Sequence, residues 1–122
     1  GHLAVVEALA RLKADVNMPT NDGATPLFVA SFWGHLDVVE ALARLKADVN
    51  MPTNDGRTPL YVASLWGHLD VVEALARLKA DVNMPTNDGA TPLFVASFWG
   101  HLAVVEALAR LKADVNMPTN DG

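Results

Sequence analysis

No cysteine occurs anywhere in the chain, which removes disulfide frameworks, thiolate nucleophiles and thiolate metal sites together. That absence is compatible with a cytosolic setting, and it is also what an engineer would choose. A basic surface is missing as well. Nine Lys and Arg stand against fourteen Asp and Glu, a formal net charge of −5, whereas a nucleic-acid interface needs a clustered basic stripe. No apolar run approaches the length that crosses a bilayer, and no cleavable signal or transit pattern is found at the start. What is present is one half apolar residues with mixed charges, a composition that excludes disorder and low complexity.

The dominant feature is repetition. Gly23–Asp55 recurs as Gly56–Asp88 and Gly89–Asp121, a period of 33 residues, and Gly1–Asp22 matches the second half of the unit. The first and last full copies differ only at Asp37 against Ala103, and the middle copy carries Arg57, Tyr61 and Leu65 in place of Ala24, Phe28 and Phe32. A strict period of this length predicts a solenoid, one continuous array in which each unit buries its apolar face on its neighbours.

Within one unit, Thr25-Pro26 predicts a helix start, with Thr as N-cap and Pro at the first helical position, where its missing N–H is not needed. Small residues at Ala30 and Ser31 permit close helix approach, and Gly34 is placed to end this short helix in a left-handed conformation. A second helix is expected from about Leu36. Val38, Val39, Leu42 and Leu45 recur at three- and four-residue intervals and form one apolar stripe. Asp37 and Glu40 early in that helix, with Arg44 and Lys46 late, suit its dipole, and Glu40 with Arg44 is spaced for an i,i+4 ion pair. Residues 47–56, ADVNMPTNDG, lose the periodicity and end in a reverse-turn signal.

These residues resemble the ankyrin repeat: T-P-L-x-x-A at 25–30, G-H-L at 34–36, V-V-E-x-L at 38–42 and A-D-V-N at 47–50, over the whole chain and at the family's period. The resemblance implies an all-α solenoid of stacked helix-turn-helix units with turn loops projecting as fingers. It also implies a non-catalytic role in protein binding through the concave face and the finger tips. Three departures stand out. Phe28, Tyr61 and Phe94 replace the family's His, which typically bridges neighbouring repeats, and substitute apolar packing. Lys13, Lys46, Lys79 and Lys112 replace a Gly; if the backbone there is left-handed, each Lys costs about 1 kcal/mol, and otherwise the helix ends differently. Ala43 replaces the second Leu of a pair, with Leu45 two residues later, which suggests a slightly rotated second helix.

Candidate chemistry is sparse. His2, His35, His68 and His101 form a ladder, one per unit, but stacked units hold equivalent side chains roughly 10 Å apart, too far for shared metal ligands at about 2 Å from an ion. They read as helix-start residues bonding the turn backbone. Asp37 with Glu40, and Asp48 with Asp55, lack the pocket that would drive paired carboxylates to different pKa values. The turn glycines at 23, 56 and 89 have no following Lys-Ser/Thr of a phosphate loop. No enzyme, metal or cofactor is expected.

The aromatic positions are different. Phe32-Trp33, Leu65-Trp66 and Phe98-Trp99 end the first helix of each unit, where the family usually carries variable polar residues on the concave surface. Either these side chains fold into the core or they form an exposed apolar patch. Leu27, Ala30, Val38, Val39 and Leu42 already supply a core stripe, so the count favours the patch, and patches of several hundred Å² mark interfaces. Trp is also a frequent hot-spot residue. The candidate partner-binding residues are therefore Phe32, Trp33, Leu65, Trp66, Phe98 and Trp99, with Asn54 and Arg57 as a polar contact at one finger. A competing expectation is a self-assembling structural module. The array opens in mid-repeat, and Ala4 and Ala103 make the terminal second helices less polar than Asp37 and Asp70 make the inner ones. The near-identical units suggest design or recent duplication, and the ends suggest either self-association or a piece of a longer array.

Overall fold

Among the described residues, three of six helices begin at a Thr-Pro pair, for the same local reason each time. In the computed structural model, which describes residues 15–111 together with Ala4, the first helix of each unit spans Pro26–Trp33 (α1), Pro59–Leu65 (α3) and Pro92–Phe98 (α5). Thr25, Thr58 and Thr91 are extended and buried, and each hydroxyl oxygen accepts the backbone N–H three residues on at 3.1 Å. One otherwise orphaned helix donor is thus satisfied, and Pro supplies no donor at all. The second helices are Leu36–Arg44 (α2), Leu69–Arg77 (α4) and Leu102–Arg110 (α6). No strand occurs among the described residues. The calls on the half unit at 1–22, His2, Lys13 and Lys112 lie wholly or mainly outside them.

Each unit packs its two helices together and stacks both on the next, α1 on α3 on α5 and α2 on α4 on α6. The apolar stripe expected from the spacing is the core. Leu27, Ala30, Val38, Val39 and Leu42 are buried, as are Leu60, Ala63, Val71, Val72 and Leu75 in the middle unit. Ala30 and Ser31, repeated as Ala63 and Ser64, lie buried and bring successive first helices close. The closeness leaves the Ser31 and Ser64 hydroxyls buried without a hydrogen-bond partner. Ser97, the equivalent in the third unit, is exposed and donates to the Leu93 carbonyl at 2.8 Å.

The Lys positions resolve one open question. Lys46 and Lys79 hold φ of 71° and 73°, so the backbone there is left-handed and the Cβ penalty applies. One side-chain expectation, the Glu40–Arg44 pair, is corrected. The ion pairs of Glu40 and Glu73 run to Arg77 and Arg110 of the following unit, at 3.9 and 3.8 Å, because stacking sets these side chains beside the next second helix. His68 and His101 stand at the starts of α4 and α6, and their rings bond backbone of the preceding unit. His68 Nε2–H donates to the Phe32 carbonyl at 3.1 Å, and His101 Nε2–H to the Leu65 carbonyl at 2.9 Å. Each imidazole therefore bridges two units. It lies against the preceding unit's turn glycine, where a Cβ on Gly34 would come within 2.8 Å of His68 Nδ1. The inter-repeat bridge absent at Phe28, Tyr61 and Phe94 is made from this other position.

The fingers are joined by backbone and amide bonds. Asn54 N–H donates to the Asp22 carbonyl at 3.0 Å and its Nδ2 to the Asn21 carbonyl at 2.9 Å. Asn87 repeats both contacts, onto Asp55 and Asn54. Within each finger, the Thr20, Thr53 or Thr86 hydroxyl donates to the Asp22, Asp55 or Asp88 carboxylate.

Candidate functional site

First helices of seven or eight residues, each closed by a left-handed glycine, fix where the terminal aromatic pair stands. Gly34, Gly67 and Gly100 have φ of 73–75°, so the chain turns away immediately after each Trp and leaves the indole outside. Trp33, Trp66 and Trp99 are 64%, 53% and 59% exposed. Phe32 and Leu65 are half-buried, while Phe98 is exposed.

The rings are not isolated. Phe32 meets Trp33 edge-on at 5.0 Å and Trp66 of the next unit at 5.5 Å, and Phe98 meets Trp99 edge-on at 5.1 Å. Such edge-to-face pairs are worth about 0.5–1.5 kcal/mol beyond their burial. They hold the indoles in place while leaving much of their surface to solvent. In the middle unit Leu65 takes the place of Phe, and there a groove of about 560 Å³ opens between the second and third units. It brings together Leu65, Trp66, Phe98 and Trp99 from the candidate set, with Arg57 at its finger end. Phe32 and Trp33 lie outside this groove, on the strip that leads to it through the Phe32–Trp66 contact.

Tyr61, Phe94 and Asp88 also line the groove, and sequence reasoning did not select them. Tyr61 and Phe94 occupy the position read as packing between repeats, and Phe94 is exposed. Their departure from the family's His was the available signal. Burial raises the Tyr61 phenol above its ordinary pKa. Asp88 is held below the ordinary carboxylate range, chiefly by the Thr86 hydroxyl. Arg57 Nε lies 3.2 Å from Asp55 Oδ2. Asn54 is exposed, but its amide is engaged by the neighbouring finger.

Other constellations do not converge. Among the described residues no group of three His, Cys, Asp or Glu stands close enough to hold a metal ion. Asp37, Glu40, Asp48 and Asp55 are exposed. No described helix is long and apolar enough to cross a membrane.

The model of the ankyrin repeats, in three copies, matches residues 1–53 and 45–119. The chain belongs to the ankyrin-repeat family. Ankyrin repeats generally mediate protein–protein interaction and are typically non-catalytic. No curated protein matches the sequence as a relative. The left-handed turn glycines, the Thr-Pro helix starts and the stacked helix pairs seen here are thus those of an ankyrin array, with Trp added at the end of every first helix.

Proposed function

We propose that this ankyrin array is a non-catalytic interaction scaffold that binds a protein partner on its first-helix face and finger tips. Phe32, Trp33, Leu65, Trp66, Phe98 and Trp99 form the contact surface, and Arg57 is a polar contact at one finger. Asn54 serves chiefly to fix the finger that carries Arg57. The observation that carries the reading is the exposure of all three Trp side chains in register, one per unit. Exposed aromatic surface on this scale is what soluble monomers avoid outside interfaces. The near-identity of the units fits a designed or recently duplicated array. Changing Trp33, Trp66 and Trp99 together to Ala should abolish partner capture and leave the helical circular-dichroism spectrum intact. Capture undiminished by that change would remove the proposal.

A second reading is favoured by a different observation. Phe98 and Leu102 are 68% and 69% exposed, whereas their equivalents in the first unit, Phe32 and Leu36, are half-buried. A second copy seated there would make the array a self-assembling module. Sedimentation across a concentration series separates the two, since a binder runs as a monomer and an assembler gains mass.

A further inference from the structure

Resting on the reading of the aromatic face as a binding surface, the charges around the groove say which partner chemistry fits it. The groove has an apolar lining from Leu65, Val95 and Phe94, together with the exposed Trp66 and Trp99. Its finger end holds Arg57 and Asp88, and Arg57 is paired with Asp55 at 3.2 Å. Two carboxylates thus stand against one guanidinium, leaving that end one negative charge in excess. The Arg57 guanidinium acts on both carboxylates and is not available as an unmatched cation. Indole faces attract cations electrostatically, Trp more than other rings. The whole chain carries a formal charge of −5, which favours encounter with basic segments and disfavours acidic ones.

We propose that the groove between the second and third units takes a partner segment that pairs an aliphatic or aromatic anchor with a neighbouring Lys or Arg. The anchor occupies the groove beside Leu65 and Phe94. The cationic head lies against the face of Trp66 or Trp99, and Asp88 at the finger end adds a longer-range attraction. Arg57 stays paired with Asp55, and the Thr86 hydroxyl keeps Asp88 fixed.

The test uses the intact chain as bait for a displayed library of random linear peptides. A second selection runs on the Trp66→Ala/Trp99→Ala variant, whose folding is checked by circular dichroism. Peptides recovered only by the unchanged chain should be enriched in Lys or Arg next to a large apolar residue. A synthesised member of that set should bind roughly two- to fivefold more weakly to Asp88→Asn, the range of a partly exposed charge interaction. Binding should weaken further in Asp88→Lys, and high salt should reduce the affinity. Trp-dependent peptides that are neutral or acidic would overturn the basic-segment inference and leave the binding face standing. Peptides recovered equally by both baits, or none at all, would overturn both.

Discussion

At the residue scale, His68 is a side chain that joins one unit to the unit before it. His68 donates to the Phe32 carbonyl and lies on Gly34, so it closes an orphaned helix-end acceptor of the preceding unit. His68→Ala should cost about 0.5–1.5 kcal/mol in urea unfolding, the net worth of such a bond. Gly34→Ala should cost more, since it adds a left-handed Cβ and displaces the ring. The buried Ser64 hydroxyl works the other way. It is fully enclosed and without a partner, so Ser64→Ala removes a desolvation cost and should stabilise the array by about 1 kcal/mol. A destabilised Ser64→Ala would mean the hydroxyl finds an acceptor in solution. Lys79, at φ 73°, should gain about 1 kcal/mol on change to Gly. That gain is reduced by the greater freedom Gly confers on the unfolded chain, and a denaturant melt reads the balance.

At the scale of elements, the helix starts, the core stripe and the helix-ending turn of each unit were legible in the sequence. Thr25-Pro26, the stripe through Val38, Val39 and Leu42, and the turn at Gly34 each follow from local sterics and spacing. Contacts between units were not readable in the same way. A 33-residue period makes His68 equally able to face its own turn or the Phe32 carbonyl, and only the stacking geometry decides. The same holds for Glu40, which reaches Arg77, and for Tyr61, Phe94 and Asp88, which meet only because two units are superposed. The exposure of the Trp ladder could be argued from the completeness of the core, yet the groove could not, because its lining comes from two superposed units. The fingers carry a pH prediction. Asp88 and Asp22 sit below their ordinary 3.8, first through the hydroxyls of Thr86 and Thr20. A depressed carboxylate contributes stability that is fully present above the unfolded value and is lost as pH falls through the folded one. Stability should therefore decline as pH drops from about 4, and Thr86→Val should flatten that acid limb. An acid limb unchanged by Thr86→Val would place the pH sensitivity elsewhere.

At the scale of the whole molecule, near-identical units turn the chain into its own control. Leu60 and Leu93 have the same place in the repeat, but among the described helices α3 packs against a first helix on both sides and α5 on one. Leu60 is 1% exposed and Leu93 only half-buried. Truncating a buried Leu to Ala costs about 2–5 kcal/mol, the value depending on how much of the site is enclosed. Leu60→Ala should fall near the top of that range and Leu93→Ala near or below its bottom. In a solenoid whose stability is a sum of unit and interface terms, that gap measures the worth of one more neighbour. The gap also reports on self-association. A second copy seated on Phe98 and Leu102 would enclose Leu93 as the third unit encloses Leu60. The cost of Leu93→Ala would then rise toward that of Leu60→Ala as protein concentration increases. A monomeric array gives a cost independent of concentration. Urea melts of both variants over a concentration series, with sedimentation at each point, distinguish the cases, and a flat Leu93→Ala cost alongside constant mass would exclude assembly through this face.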